Sequence, residues 1–260
     1  MTTRARDAED VAYLASNARA ALALGITHYQ HFDQPVGQWN YIRIANEIEA
    51  SVPRGTLLDW GCGFGQMTYL LRRRGFDVTA YDVMSQETPL PDVPMSRDLW
   101  MIRGQHPTAL PFAAESFDAV LSCGVLEHVD EFSARGNELL SLREINRILR
   151  PGGSLIIYQL PQRLAWQEAV ARRLRVGYWH PRRYSEREIA EILQTTGFHV
   201  RRVRRNNMLP KNVAWMPRAL RSLYGQTSRG LIGLDTALSR VPLLNRVAGV
   251  LELMATKARV

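Results

Sequence analysis

Short apolar runs alternate with longer segments of helical spacing along most of this chain. Buried strands are predicted where an apolar run stands between turn residues, and the runs that fit are 56–60, 77–83, 117–123, 154–160 and 199–205. Helices are predicted between them at 66–74 and 139–149, and a capping box at Ser185-x-x-Glu188 opens another that ends at Gly197. This alternation predicts an α/β fold, with a mainly parallel sheet covered by helices on both faces.

The first fifty residues do not follow this alternation. Two segments of helical spacing, 7–24 and 42–50, are closed by Gly25 and Pro53. A polar aromatic segment lies between them and contains Tyr29, His31, Phe32, Trp39 and Tyr41. Farther along, three prolines predict a loop at 86–94. We therefore expect a helical cap at 1–50 in front of a core at 51–205.

The composition is that of one globular unit. The chain has 260 residues, of which 46% are hydrophobic, enough for one sizeable core with elaborations. It has no apolar run long enough to span a membrane and no apolar stretch typical of a signal peptide. Its two cysteines, Cys62 and Cys123, are too few for a disulfide framework. These features predict a cytoplasmic protein.

The positive charge is concentrated at one end of the chain. The formal net charge is +8, yet residues 201–260 hold twelve Lys and Arg against two acids. The first 200 residues are therefore close to neutral. This asymmetry predicts that the C-terminal quarter meets an anionic surface or ligand.

The strongest motif is a glycine-rich turn between a predicted strand and a predicted helix, Leu57-Leu-Asp-Trp-Gly-Cys-Gly-Phe-Gly65. Gly61, Gly63 and Gly65 let the backbone turn sharply and approach a ligand closely. A dinucleotide-binding fingerprint would place its third glycine at position 66, where Gln66 stands. The turn therefore predicts a nucleotide-like ligand that is not a dinucleotide.

Two acids accompany this turn. Asp82 ends the next strand, where a carboxylate can accept both hydroxyl hydrogens of a ribose, and its alternative role is to cap the strand. Asp59 precedes the glycines and can meet the ammonium group of a methionine-like moiety. The alternative for Asp59 is that its carboxylate fixes the backbone of the turn.

Five segments in order resemble the motifs of class I S-adenosylmethionine (SAM)-dependent methyltransferases, in the UbiE/UbiG-like "type 11" branch. They are Leu57-Leu-Asp-Trp-Gly-Cys-Gly-Phe-Gly, Thr79-Ala-Tyr-Asp, Leu110-Pro-Phe-Ala-Ala-Glu-Ser-Phe-Asp-Ala-Val, Val125-Leu-Glu-His-Val and Glu144-Ile-Asn-Arg-Ile-Leu-Arg-Pro-Gly-Gly. The resemblance covers residues 54–205. It implies a Rossmann-like, doubly wound sheet of seven strands with the last strand antiparallel, and SAM as methyl donor with S-adenosylhomocysteine as product.

The resemblance also assigns the parts of the SAM site. The glycine turn with Cys62 would hold the methionine part, Asp82 the ribose, and the segment before Leu110 the adenine. Cys123, after the fourth strand, is expected in the pocket wall. His106 and Pro107 stand where family members often have Asp-Ala, so we expect the adenine to be faced by the His106 ring.

The loop after the fourth strand is where catalysis is expected, because ligands of such sheets lie outside the carboxyl ends of the strands. Methyl transfer requires donor and nucleophile to be aligned, and a hydroxyl nucleophile also needs a base. His128 is the candidate base; its alternative is an architectural role at the start of the next helix. His180 is a second candidate at the mouth of the pocket.

Two other interpretations of this loop receive less support. Glu127, His128, Asp130 and Glu131 could bind a metal, but the acids are scattered around the predicted helix, and we assign no metal. Glu127 is expected instead to stabilise a helix N-terminus. Nucleobase methylation usually shows a Pro-Pro-aromatic motif after strand four or a Pro-Cys nucleophile, and neither follows Ser122. We therefore do not expect a nucleic-acid acceptor.

Residues 206–247 form an insertion before the final strand, which lies in 248–260. Apolar side chains and arginines are interleaved there, as in a lid over an apolar substrate or an interfacial membrane contact; the alternatives are a solvated cap and a dimer surface. We expect O-methylation of a hydroxyl on a small-molecule, sugar or lipid-linked acceptor, with peripheral contact to the inner membrane face. The alternatives are C-methylation of a quinone-type lipid and a non-catalytic SAM-binding partner subunit.

Overall fold

The computed structural model describes residues 2–26, 32–83, 92–131, 136–175, 179–211, 213 and 216–258. Tyr29 and His31 of the polar aromatic segment lie outside these ranges. So does most of the proline-rich segment that the sequence predicts to be a loop.

Seven strands form one sheet in the described part of the chain, in the order β3-β2-β1-β4-β5-β7-β6. The strands are β1 Thr56–Trp60, β2 Asp77–Val83, β3 Met101–Gly104, β4 Phe117–Cys123, β5 Leu149–Pro161, β6 Phe198–Asn206 and β7 Val250–Lys257. Strands β1 to β5 are parallel to one another, and β7 runs antiparallel to both β5 and β6. The predicted seven-stranded sheet with its last strand antiparallel is confirmed.

Helices cover both faces of the sheet. The helices are α1 Thr3–Ala23, α2 Pro35–Ser51, α3 Gln66–Arg72, α4 Pro94–Asp98, α5 Asn137–Ile148, α6 Trp166–Leu174, α7 Glu186–Thr195, α8 Arg218–Gln226 and α9 Ser228–Leu238, with 3₁₀ helices at Leu126–Glu131 and Leu244–Val247. The predicted capping box at the start of α7 is present, because the Ser185 hydroxyl accepts the Glu188 N–H at 3.2 Å. No helix in the described ranges combines the length and apolar character that crossing a bilayer requires.

Several element boundaries differ from those predicted. The sequence pattern missed β3, α4 and α6, which are short elements. The second cap helix begins at Pro35 rather than near Ile42, because proline is favoured in a first helical turn. Strand β5 begins at Leu149 and includes the Pro-Gly-Gly segment predicted to close α5, since Leu149 already pairs with Phe117 of β4.

The two faces of the sheet carry two separate apolar cores. Because side chains alternate along a strand, Leu57 and Leu58 of β1 point to opposite sides. Leu58 belongs to the core under α5 and α7, and Leu57 to the core under α1, α2 and α3. Both faces are therefore buried, as the continuous apolar strands predicted.

Buried ion pairs attach the N-terminal cap to the sheet layer. Arg74, which follows α3 and has no exposed side-chain surface, lies 2.9 Å from Asp10 and 3.3 Å from Asp7 of α1. Arg43 of α2 lies 2.6 Å from Glu252 of β7, and both side chains are largely buried. Buried charges require such partners, so these pairs define how the cap docks.

The insertion is helical, as predicted, and packs along the cap helix α2. Val36 of α2 forms a small core with Val213 and Ile232 of the insertion. The Arg229 guanidinium lies 5.3 Å from the centre of the Trp39 ring on the same helix. The cap and the insertion therefore form one layer around α2.

The buried pair between α1 and Arg74 gives a stability prediction. We expect Asp10→Ala to lower the free energy of unfolding by about 3–5 kcal/mol, because Arg74 would keep a buried charge without its main partner. Glu9→Ala is the matched control on the same helix, since it removes a half-exposed pair with Arg73. The control should cost at most about 1 kcal/mol. Urea denaturation measures both, and equal losses would contradict the argument.

Candidate active site

The site lies at the carboxyl ends of three parallel strands. Strand β1 pairs with β2 on one side and β4 on the other, and Asp59 stands level with Ala80 and Leu121. The strands therefore end at one edge of the sheet, and the loops that follow them meet there. This is the edge at which open α/β sheets bind ligands.

The three glycines of the turn all have positive φ angles, 72° at Gly61, 56° at Gly63 and 90° at Gly65. A Cβ atom at Gly61 would lie 2.4 Å from Val125, and one at Gly65 would lie 2.2 Å from Leu99. A Cβ at Gly63 would instead face open space, with its nearest atom 3.9 Å away. Packing thus excludes a side chain at the first and third positions, while the middle glycine faces the cavity.

Backbone hydrogen bonds hold this turn against β2. The N–H groups of Gly61 and Cys62 donate to the Tyr81 carbonyl at 2.8 and 3.0 Å. The Gly63 N–H donates to Asp82 Oδ2 at 2.6 Å. Burial raises the pKa of Asp82, and the Gly63 hydrogen bond opposes that rise. The predicted ribose carboxylate therefore stands directly beside the turn.

A cavity of about 440 Å³ opens above the turn. It is lined by Phe32, Tyr41, Asp59, Gly61, Cys62, Gly63, Phe64, Gln66, Met67, Cys123, Gly124 and His128. Six of these are residues that the sequence selected: both cysteines, Asp59, Gly61, Gly63 and His128. Gly65 caps the N-terminus of α3 next to them.

His106 is not among the residues that line the cavity. Its ring Nδ1 lies 2.5 Å from the Thr108 hydroxyl, and its carbonyl accepts a hydrogen bond from the Tyr81 hydroxyl at 3.0 Å. The ring is thus involved in a local contact with its own loop. Its assignment to the adenine stays a prediction.

Asp59 holds the helix that follows the turn and also lines the cavity, while its predicted contact with a ligand ammonium group stays a prediction. The side chain is almost fully buried, and its Oδ2 accepts a hydrogen bond from Thr68 of α3 at 2.6 Å. Desolvation raises the pKa of Asp59 to about 6, although the Thr68 hydrogen bond opposes the rise. The carboxylate therefore fixes the start of α3 and also lines the cavity, where a ligand ammonium group would favour its ionised form.

Sequence reasoning missed the aromatic wall that the cap contributes. Phe32 and Tyr41 pack edge to face with ring centres 4.5 Å apart. The Tyr41 hydroxyl and the Cys123 thiol are hydrogen-bonded, and desolvation raises the pKa of both groups. Cys123 is thus a neutral thiol in the wall, as expected. The aromatic segment was visible in the sequence, but its direction depends on how α2 docks.

His128 lies in the 3₁₀ helix after β4, where its N–H donates to the Val125 carbonyl at 2.9 Å. Its side chain is 31% exposed, whereas Glu127 beside it is almost fully buried. The His180 ring lies 5.5 Å from the His128 ring, centre to centre. The structure therefore brings together the two histidines that the sequence proposed separately.

The segment carrying His180 is anchored to the core. Arg182 lies 2.8 Å from Glu138 of α5 and 2.7 Å from Glu188 of α7. On the other side, His180 Nδ1 lies 2.5 Å from Glu168 Oε1 of α6. Nothing in the sequence pointed to Glu168, because α6 itself was not predicted.

Of the four residues after β4 that the sequence analysis considered as a possible metal site, the structure does not bring together all three whose side chains it describes. Asp130 accepts the Glu138 N–H at 3.2 Å at the start of α5, and the Glu131 side chain lies outside the described residues. Glu127 stands in the first turn of the 3₁₀ helix, as expected. Among the described residues, Glu127, His128 and His180 present ligand atoms that all lie within 4.8 Å of one another.

Methyltransferases are among the known proteins similar to this chain. Residues 29–203 match a family model described as a methyltransferase domain. "Probable tRNA methyltransferase 9B" of Bos taurus is 30% identical over 116 residues, which are 45% of this chain and 24% of that protein. The ubiquinone biosynthesis O-methyltransferase of Ruegeria pomeroyi is 34% identical over 99 residues, 37% of this chain and 38% of that protein. The matches thus span well under two thirds of either relative.

Solved structures support the fold. A SAM-dependent methyltransferase from Thermotoga maritima superposes with a TM-score of 0.55 at 16% identity. The match covers 92% of this chain and 97% of that one. The likeness therefore extends over the cap and the insertion as well as the sheet.

The middle glycine gives a test of the cavity. We expect Gly63→Val to abolish SAM binding, because its side chain would enter the open space above the turn. Gly25→Val is the matched control, since Gly25 also has a positive φ and open space around its Cβ position but does not line the cavity. Titration calorimetry with SAM measures both. Equal SAM affinity in Gly63→Val and the wild type would overturn the assignment of the cavity.

Proposed function

The chain belongs to the methyltransferase domain family and uses SAM as methyl donor, and from this premise we propose that it methylates a hydroxyl oxygen of a small-molecule, sugar or lipid-linked acceptor. The observation that carries the proposal is the position of His128. Its imidazole lies in the wall of the same cavity as the glycine turn and Asp59. A hydroxyl is the nucleophile that requires such a proton acceptor.

The residues of the cavity fit SAM. The backbone at Gly63 leaves open space, the buried Asp59 lines the cavity, and the partly buried Asp82 accepts the Gly63 N–H. We expect Asp59 to meet the ammonium group and Asp82 the ribose hydroxyls. SAM supplies a methyl group on a positively charged sulfur, which a nucleophile can displace. What the chain must add is alignment and the exclusion of water.

The wall residues divide these tasks among them. Phe32, Phe64 and Met67 present apolar surface to the cavity, which excludes water from the reacting atoms. His128 would take the hydroxyl proton, since an imidazole can accept a proton near neutral pH. The relative from Ruegeria pomeroyi is named an O-methyltransferase, which supports an oxygen acceptor. The relative from Bos taurus is named for tRNA, so an RNA product is an outcome to be tested.

His128→Ala tests the proposed base. We expect turnover to fall at least about 100-fold with little change in SAM affinity, because a general base acts on the acceptor. His199→Ala is the control, since this histidine is exposed on β6. The assay incubates the protein with ¹³C-methyl SAM and fractionated cell extracts, and NMR of the product separates methyl ethers from N-methyl and C-methyl groups.

Each other outcome of that assay contradicts one part of the proposal. A loss of only a few-fold would return His128 to an architectural role. A C-methyl product would favour the quinone-type acceptor, and label in RNA would favour a nucleic acid. No transfer to any fraction would favour a non-catalytic SAM-binding subunit.

We further propose that the insertion brings the acceptor from an anionic lipid surface. The described residues of α8 include none that are buried, and Leu220 and Leu223 are more than half exposed. Leu243, which precedes the second 3₁₀ helix, is 69% exposed. Exposed arginines stand in the same insertion, namely Arg218, Arg229, Arg240 and Arg246. Apolar anchors combined with arginines are typical of an interfacial segment.

The packing supports a link between this surface and the cavity. The insertion contacts α2 through both α8 and α9, and α2 also carries Tyr41 of the cavity wall. The charge of the N-terminal 200 residues is close to neutral, so the insertion and its neighbouring strands provide the attraction.

Vesicle binding tests this surface. We expect binding to anionic phosphatidylserine vesicles to weaken as salt rises, because screening acts on exposed charges. Replacing Arg218, Arg240 and Arg246 by Gln should weaken binding at least about tenfold, at roughly 1 kcal/mol for each basic residue near the surface, and leave SAM affinity unchanged. The matched control replaces Arg4, Arg19 and Arg143, which are also exposed, and removes the same charge elsewhere.

Two results would contradict the lipid proposal. If the wild type ignores anionic vesicles at low salt, the insertion is a lid or a dimer contact. If both triple variants weaken binding equally, the attraction comes from net charge rather than from the insertion.

A further inference from the structure

Two imidazoles and one carboxylate meet at the edge of the cavity. Glu127 and His128 come from the 3₁₀ helix after β4, and His180 comes from the segment before α7. Their ligand atoms lie within 4.8 Å of one another. Two histidines with one carboxylate are a common donor set for first-row divalent metals, and Zn²⁺ sites of this composition leave a coordination position open.

A second carboxylate, that of Glu168, contacts the His180 ring. Glu168 Oε1 lies 2.5 Å from His180 Nδ1, and its Oε2 accepts the His180 backbone N–H at 3.3 Å. An ionised carboxylate only accepts, so Nδ1 carries the proton and Nε2 is left as the ligand atom. A metal-binding histidine is usually held by a carboxylate in this way, which fixes its orientation and raises its basicity.

The burial of Glu127 is consistent with the same site. Its side chain is almost fully buried, with Oε1 3.9 Å from His128 Nε2. A divalent cation would place positive charge beside this buried carboxylate. Because His128 also lines the cavity, such a cation would lie beside the space left for the acceptor.

We propose that Glu127, His128 and His180 bind one divalent transition-metal ion, with Zn²⁺ as the best match to the donors. The catalytic role of the ion rests on the proposed O-methylation, whereas the binding of the ion does not depend on that reaction. Bound there, the cation would lower the pKa of an acceptor hydroxyl. His128 would then be a ligand, so its role as base belongs to the protein without the ion, and His128→Ala is expected to lower turnover in either case.

The bonds broken and formed in the overall reaction are the same with the cation present. The acceptor O–H bond breaks and its proton passes to water, the oxygen lone pair forms the new bond to the methyl carbon, and the bond from that carbon to sulfur breaks. The electron pair stays on sulfur, so S-adenosylhomocysteine leaves neutral. The cation is neither oxidised nor reduced.

Calorimetric titration with Zn²⁺ tests the binding directly. We expect one Zn²⁺ per chain in the wild type. Affinity should fall at least about 100-fold in His180→Ala, which removes a ligand, and about 10–100-fold in Glu168→Gln, which loses the supporting carboxylate. His199→Ala is the control, because this exposed histidine on β6 lies outside the site. This variant should bind Zn²⁺ with the affinity of the wild type. Circular dichroism checks that each variant is folded.

Two results overturn the site: no Zn²⁺ binding by the wild type at sub-millimolar concentration, or wild-type affinity in His180→Ala. Removal of Zn²⁺ by a chelator should lower methyl transfer and leave SAM affinity unchanged, and unchanged transfer overturns the catalytic role. If Zn²⁺ binds at these residues but no methyl ether forms in any extract, the proposed function fails while the metal site stands.

Discussion

The hydrogen bond from the Gly63 N–H to the Asp82 carboxylate joins the two loops on which the donor side of the cavity depends. It holds the turn after β1 against the end of β2, together with the N–H groups that Gly61 and Cys62 direct at Tyr81. This arrangement requires positive φ angles, which only glycine adopts without strain. The same carboxylate is partly buried and is the one predicted to bind the ribose, so this contact shapes the turn beside the predicted site.

The other side of the cavity depends on how the cap is attached. Tyr41 reaches the wall because α2 is held against β7 by the pair between Arg43 and Glu252. Arg74 holds α1 through Asp10 in the same manner. Buried ion pairs of this kind add little net stability, but a mispaired arrangement would leave charges buried without partners. We infer that they select one orientation of the cap.

The proposed choice of acceptor depends on side chains outside the glycine turn. A shared fold does not determine the substrate, which depends on the groups around the reacting atoms. We propose that those groups are the histidine pair with Glu168 and the exposed arginines and leucines of the insertion. The insertion packs on α2, so the surface and the cavity wall share one helix.

The sequence by itself determined six of the seven strands, the glycine turn and the acids Asp59 and Asp82, because these depend on local patterns of apolar spacing and backbone conformation. It did not determine that His180 and Glu168 stand beside His128, or that α2 begins at Pro35 and supplies the aromatic wall. Those contacts join segments far apart in the chain, through ion pairs and packing that no local pattern records. Tertiary structure alone decided them, since only the docking of α2, α6 and the segment before α7 brings these side chains within reach.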